Sequence, residues 1–178
     1  SGLIRLTDDQ ANDRDPVWAP DRETIAFTSD RSGKEQIYLL STTDYSVRRL
    51  TDQAQGAVSP TWSPDGQTIA FVEPGDENQT IYLIDLLSGR LETEVDVGLS
   101  QVANPAWSSV GDVIAFTAVD AAQKEDRDIF ALTIGQEKIV NLTNHPSNDD
   151  HAAWAYDGAR IAFQTDRDGS SNIYIMNA

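Results

Sequence analysis

The sequence predicts an all-β fold, a β-propeller of four repeats of four-stranded antiparallel blades, and three observations carry that prediction. Tryptophan recurs at Trp18, Trp62, Trp107 and Trp154, at intervals of 44, 45 and 47 residues. Each tryptophan is followed nine residues later by phenylalanine (Phe27, Phe71, Phe116, Phe163) and preceded by twelve residues by Leu6, Leu50, Val95 or Leu142. An aromatic pair then closes each copy: Ile37-Tyr38, Ile81-Tyr82, Ile129-Phe130 and Ile173-Tyr174. A period of roughly 45 residues holding four short strands marks propeller blades. One recurring aromatic set is what such blades need, because a twisted sheet buries its face only against its neighbour.

Each element follows from its residues. The second copy, "PTWSPDGQTIAF" from residue 60 to 71, reads as strand, turn and strand. Strands "SPTWS", "QTIAFVE", "TIYLIDL" and "RLETEV" complete that unit, with Ser88-Gly89 in the hairpin before the last. Asp65-Gly66 predicts a two-residue hairpin, since both turn residues tolerate positive φ, and Asp157-Gly158 repeats it. Copies one and three, with "PDRE" and "SVGD", are expected to use other turns. No stretch sustains a helical period. The blades span roughly 16–51, 58–97, 104–143, and 151–178 joined by 1–7, one propeller domain over residues 1–178. The chain opens on "GLIRLT", an outer strand, and finishes on "SNIYIMNA", a third strand. The expectation is a ring closed by the N-terminal strand completing the last blade, which removes an open edge. A monomer is favoured, with a strand-exchanged eight-bladed dimer as the alternative.

Composition narrows the partner. Twenty-nine Asp and Glu against 13 Lys and Arg leave a net charge of −16. That field repels nucleic acid and anionic membrane surfaces, so a neutral or basic partner is expected. No apolar run reaches the length of a membrane span, so no membrane insertion is expected. The absence of cysteine excludes disulfides, thiolate metal sites and cysteine nucleophiles.

Copy one carries Leu6-Thr7-Asp8, Pro16, Trp18, Pro20-Asp21, Ile25-Ala26-Phe27, Ser29-Asp30-Arg31, Gly33 and Ile37-Tyr38. Copy two keeps "LTD" and "PTWSPDGQTIAF", and copy four keeps "LTN" and "QTDRDGSSNIY". This pattern resembles the WD-repeat-like units of the TolB-type propeller family, a bacterial family, over essentially the whole chain. The resemblance implies a scaffold that binds other proteins. It also implies a periplasmic address if it extends that far, with the cytoplasm left open. Relatives of this type also occur as gating domains of serine peptidases and as oligogalacturonate lyases. The alternative reading is therefore a carbohydrate-active enzyme resembling those lyases.

Function is expected where the copies disagree. The loops before strand one and the hairpins between strands two and three emerge on one face. They include 8–16, 144–152, 29–36, 73–79, 119–128 and 165–172, which hold much of the charge. Ring closure would bring Asp13, Asp15, Asp149, Asp150 and His151 together at the channel mouth. Asp30-Arg31 and Asp166-Arg167 recur and suit turn and blade ties, whereas Asp13, Asp149, Asp150 and His151 read as non-recurring. Together these nine residues form the expected binding face for a protein or peptide. There carboxylates steer association, and Arg31 and Arg167 offer bidentate contacts. "NDRDP" resembles the start of a calcium loop but lacks its Gly and distal Glu, so no cofactor is expected, with calcium the one candidate. "G-x-S-x-G" is absent and only His145 and His151 could supply imidazole, so no catalytic residues are assigned.

Overall fold

The computed structural model describes residues 2–75, 79–120, 122 and 126–178. The expected hairpins at 73–79 and 119–128 lie partly outside the described residues. The protein is all-β, with four antiparallel blades of a β-propeller. Blade one orders β1 (Asp13–Trp18), β2 (Thr24–Ser29), β3 (Gln36–Ser41) and β4 (Val47–Arg49). Blade two holds β5 (Val58–Trp62), β6 (Thr68–Val72), β7 (Thr80–Asp85) and β8 (Leu91–Asp96). In blade three these are β9 (Ser100–Trp107), β10 (Val113–Val119), β11 (Arg127–Thr133) and β12 (Lys138–Asn141). Blade four comprises β13 (Asp149–Trp154), β14 (Arg160–Thr165) and β15 (Asn172–Asn177).

Strand alternation gives each blade two faces. In blade one, Trp18, Ile25, Phe27, Tyr38 and Leu40 share the leading face, while Val17, Ala26, Ile37 and Leu39 share the trailing face. The trailing face of blade one packs on Trp62, Ile69, Phe71, Tyr82 and Ile84 of blade two. The same contact repeats between blades two and three, centred on Leu83 and Phe116, and between blades three and four, on Ile129 and Phe163. Within each leading face the paired aromatics lie close, with ring centroids 5.4 Å apart for Phe71–Tyr82 and 5.8 Å for Phe116–Phe130. Two tryptophans stitch neighbours together: Trp62 Nε1 donates to the Val17 carbonyl at 3.2 Å, and Trp154 Nε1 to that of Ala106 at 2.9 Å.

The expected ring closure does not form. Blade four has three strands, and residues 2–7 adopt no strand. Leu6 instead packs against Phe27, Tyr38 and Leu40 of blade one, as Leu50 packs at the next interface. The trailing face of blade four is in water: Ile173 is 72% exposed against 0% for its counterparts Ile37, Ile81 and Ile129, and Ile175 is 65% exposed against 4% and 3% for Leu39 and Leu83. Trp18 is 56% exposed where Trp62 is 8%. The four blades form an open arc, since Leu6 packs on blade one and no fourth strand pairs with β15.

The turns also differ from expectation. Ser63 N donates to Thr68 O at 2.9 Å and Gly66 N to Ser63 O at 3.0 Å, so the five residues 63–67, not two, link β5 to β6. Gly66, at φ 70°, is the left-handed residue that ends this turn. Copy one keeps the same hydrogen bonds, Ala19 N to Thr24 O and Arg22 N to Ala19 O, with Arg22 itself at φ 62°. Copy one therefore uses the turn of copies two and four. Copy three closes with Ser108 N on Val113 O, yet Gly111 is not left-handed.

The open arc makes a stability prediction. Ile129→Ala should cost about 2–5 kcal/mol, since it empties a filled interface. Its counterpart Ile173→Ala should cost about 0.5 kcal/mol or less. Urea unfolding in dilute solution checks both, and equal losses would mean that blade four is covered.

Candidate functional site

The inner strand of every blade contains a bulge, three residues before its tryptophan. The register slips between Arg14 and Val17, Val58 and Thr61, and Asp150 and Ala153, and β9 slips in the same region against β10. The residues that absorb the slip are Asp15, Ser59, Asn104 and His151, with φ of 53°, 54°, 49° and 55°. None is glycine. Asp, Asn and His tolerate the left-handed region better than other residues, which accounts for three of the four. A bulged residue is released from the ladder and its side chain re-aimed.

These four residues line one cavity of about 270 Å³, the mouth of the arc, walled by Pro16, Pro60 and Pro105. The buried threonines behind them tie blade to blade. Thr28 Oγ1 donates to Asp15 Oδ2 at 3.3 Å and accepts from Ser59 N at 3.1 Å. Between blades three and four, Asp150 Oδ1 accepts from Thr117 Oγ1 and Asn104 Nδ2, both at 2.8 Å, and from His151 N at 2.8 Å. Arg127 stands 3.5 Å from Asp150 Oδ2, and His151 Nδ1 lies 3.3 Å from Oδ1. Burial alone would raise the Asp150 carboxyl, but the hydrogen bonds from Thr117, Asn104 and the His151 amide outweigh it and hold it below its ordinary value.

The other expected residues form clamps. Arg31 Nη2 donates to both oxygens of Asp13, at 2.9 and 3.1 Å, and Nη1 reaches Asp9 at 3.0 Å. Its guanidinium lies 5.2 Å from the Phe27 ring centroid and 4.8 Å from that of Tyr38. Blade four repeats this: Arg167 Nη2 donates to both Asp149 oxygens at 3.2 Å and stands 5.5 and 4.9 Å from the Phe163 and Tyr174 centroids. Asp13 and Asp149 thus do recur, each five residues before its tryptophan. Asp30 and Asp166 accept from the backbone and side-chain nitrogens of Asn12 and Asn148. Those bonds lower both carboxyl pKa values. Burial pushes the Asp13 carboxyl up, and hydrogen bonds from Ser29, Arg31 and Thr7 more than reverse it.

Of the nine expected residues, Asp15 and His151 line the mouth cavity and Asp150 lies directly behind them. Asp13, Asp30, Arg31, Asp149, Asp166 and Arg167 are engaged within their own blades. Ser59, Asn104, Thr28 and Thr117 escaped the sequence reading. One signal was available for the first two: the third residue before each tryptophan is polar in all four copies. Among the described residues, no group of three or more His, Asp or Glu is placed to hold a metal ion.

An open array of antiparallel blades around a polar, bulge-lined mouth defines a propeller-type domain. The family model described as the TolB beta propeller domain matches residues 45–178, and the chain belongs to that family. Its fold is similar to TolB from Acinetobacter baumannii, at 21% identity and a TM-score of 0.84, over 97% of this chain and 42% of that one. A putative TolB from Agrobacterium tumefaciens matches at 22% identity and a TM-score of 0.80, over 94% of this chain and 61% of that one. A puromycin-hydrolyzing peptidase of Mycobacterium tuberculosis matches at 16% identity and a TM-score of 0.71, over 93% of this chain and 29% of that one. The chain thus spans less than two thirds of each of these structures, and at these identities the likeness is one of fold. No curated protein matches the sequence significantly.

Two predictions follow from the clamps and the mouth. Asp149 is wholly buried beside Arg167, so Arg167→Ala should cost about 3 kcal/mol by stranding its charge. Arg167→Lys should recover only part of that in denaturant titration, because lysine lacks the planar group that stacks on Phe163 and Tyr174. The Asp13 and Asp150 carboxyls are both held low, so their contribution is present above the unfolded value of about 3.9. It is lost as pH falls through the lower folded values. Thermal unfolding should show stability dropping below about pH 4, and Asp150→Asn should flatten that slope.

Proposed function

We propose that this domain is a non-catalytic scaffold that binds a protein partner through an extended peptide segment seated at the channel mouth. The single observation behind this reading is the bulged set Asp15, Ser59, Asn104 and His151. Four repeat-equivalent positions keep one strained backbone conformation and line one cavity with four different side chains. Pure scaffolding would recur in identity as the tryptophans do. Strain retained at positions that differ chemically is what a recognition surface requires.

The set suits a segment rich in hydrogen-bond donors. Asp15 supplies acceptors, Asn104 and Ser59 supply both kinds of group, and the prolines form apolar walls. The net charge of −16 steers basic or neutral segments inward and repels acidic ones. Membership of the TolB propeller family supports a periplasmic address for such a scaffold.

Fluorescence anisotropy with labelled nonapeptides tests the reading. A peptide alternating lysine with asparagine should bind, and its glutamate counterpart should not. Asp15→Asn combined with Asn104→Ala should weaken binding about tenfold or more, and raised salt should slow association. Equal binding of both peptides, or indifference to the double substitution, would move the site away from the mouth.

A further inference from the structure

The interface between blades two and three is built differently from its neighbours. At the other two, the tryptophan of the later blade donates its indole N–H to the earlier blade, Trp62 to the Val17 carbonyl and Trp154 to that of Ala106. The Thr61 carbonyl is the equivalent acceptor for Trp107, yet Trp107 Nε1 donates at 3.1 Å to the Gly111 carbonyl of its own blade. The turn that follows explains the change. Copy three reads Ser109-Val110-Gly111-Asp112 where copy two reads Pro64-Asp65-Gly66-Gln67. Gly111 lacks the left-handed φ of Gly66, and the altered peptide offers its carbonyl to the indole. Blades two and three are both four-stranded and each has a blade on either side, so this interface is complete within the chain.

Trp62 seals its interface and is 8% exposed, whereas beside Trp107 a cleft of about 410 Å³ opens. Buried Leu83 of β7, Trp107 and Ile134 give it an apolar floor, and each blade adds one exposed carboxylate, Asp65 and Asp112. Asp65 Oδ1 accepts from the Ser63 hydroxyl at 2.6 Å and the Gln67 amide at 3.0 Å, which holds this carboxyl below its ordinary value. Among the described residues, no lysine or arginine lines the cleft.

The chain itself shows what such a setting accepts. Arg31 and Arg167 each lay a guanidinium against aromatic rings and beside an aspartate of the same blade. Blade one also places Arg48 opposite Leu39, where blade two has the short Thr93 opposite Leu83. The cleft thus has the aromatic wall and the carboxylates of a guanidinium site, but no basic side chain of its own.

We propose that this cleft seats an arginine side chain carried by a protein partner, its guanidinium between Asp65 and Asp112 and its stem against Leu83, Trp107 and Ile134. Guanidinium suits the cleft better than ammonium, because its planar group pairs with carboxylates bidentately, stacks on indole and is more weakly hydrated. The cavity exceeds one side chain, which leaves room for the partner's flanking backbone beside Thr68 and Thr93. It opens at the β5–β6 turn, the opposite end of the blades from the bulged mouth, so it stands whether or not a peptide binds there.

NMR titration of the isotope-labelled chain with acetyl-Gly-Ser-Arg-Ser-Gly-amide tests this. The Trp107 indole resonance, identified by its loss in Trp107→Phe, and the Ile134 amide should move. The same peptide carrying citrulline, the neutral isostere of arginine, should leave them in place. Asp65→Asn and Asp112→Asn, both at exposed positions, should each weaken binding about threefold, and together about tenfold. Asp8→Asn/Asp52→Asn removes the same charge elsewhere and should change nothing, as should Asp15→Asn/Asn104→Ala at the mouth. A Trp107 indole that does not move overturns the proposal. So does equal binding of the citrulline peptide, or an equal loss in Asp8→Asn/Asp52→Asn, since the attraction would then be to the overall charge. Free arginine binding more tightly than the peptide would also overturn it, by making the occupant a small molecule.

Discussion

The packing of an aromatic leading face on an aliphatic trailing face is the interaction on which the rest of this structure depends. A four-stranded sheet cannot bury both of its faces, and here each interior face is buried only because the next blade covers it. Full burial of a phenylalanine such as Phe71 or Phe116 contributes about 1.5–3 kcal/mol, and every interface repeats such a residue. The same contact sets the inner strands side by side, β1 on β5, β5 on β9 and β9 on β13. The mouth residues meet because of that order. Their side chains have little to do with bringing the blades together.

Within that frame, the bulge separates two demands on the inner strand. Residues after it, such as Val17 and Trp18, belong to the packed faces, and the tryptophan keeps its identity in all four copies. The residue at the bulge is freed from the ladder, so its side chain can vary while its backbone cannot. Thr28 and Thr117, buried one residue after their phenylalanines, tie it to the adjoining blade: Thr28 accepts from the bulged Ser59 amide, and Thr117 donates to Asp150 beside the bulged His151.

Much of the fold was legible in the sequence because packing is periodic, so offsets from Trp18, Trp62, Trp107 and Trp154 report it directly. Ring closure was not legible. It depends on whether the N-terminal residues pair with β15 or pack on blade one, as Leu6 does, and no repeat offset encodes that choice. The Asp13 and Asp149 clamps were misread as non-recurring because only two copies carry them, with buried Ala57 and Val102 at the equivalent positions. Asp15 and His151 were reached through their charge and their loops. Ser59 and Asn104 were missed because their common property is a left-handed backbone, which four different residue types conceal. The Asp-Gly pairs located a turn correctly but gave its length wrongly, since Pro64 and Asp65 are its central residues and Gly66 ends it.

The clamps also decide what kind of recognition the mouth can perform. In blades one and four an Asp–Arg pair holds the inner strand two residues ahead of the bulge. In blades two and three the equivalent residues are apolar and buried, and Gln79 accepts a hydrogen bond from the Val102 amide instead. Polar and apolar locks thus perform the same mechanical task. Their electrical consequence differs, because Arg31 and Arg167 neutralise Asp13 and Asp149 internally, while Asn12 and Asn148 occupy Asp30 and Asp166. Much of the acidity of the surrounding loops is therefore spent on holding the blades. At the mouth itself, Asp15 and Asp150 engage the neutral groups of Ser59, Asn104, Thr28 and Thr117, with the half-exposed Arg14 and Arg127 at 4.0 and 3.5 Å. Selection there rests on the placement of hydrogen-bond partners around a fixed backbone, and the net charge of the chain acts at longer range, on the approach.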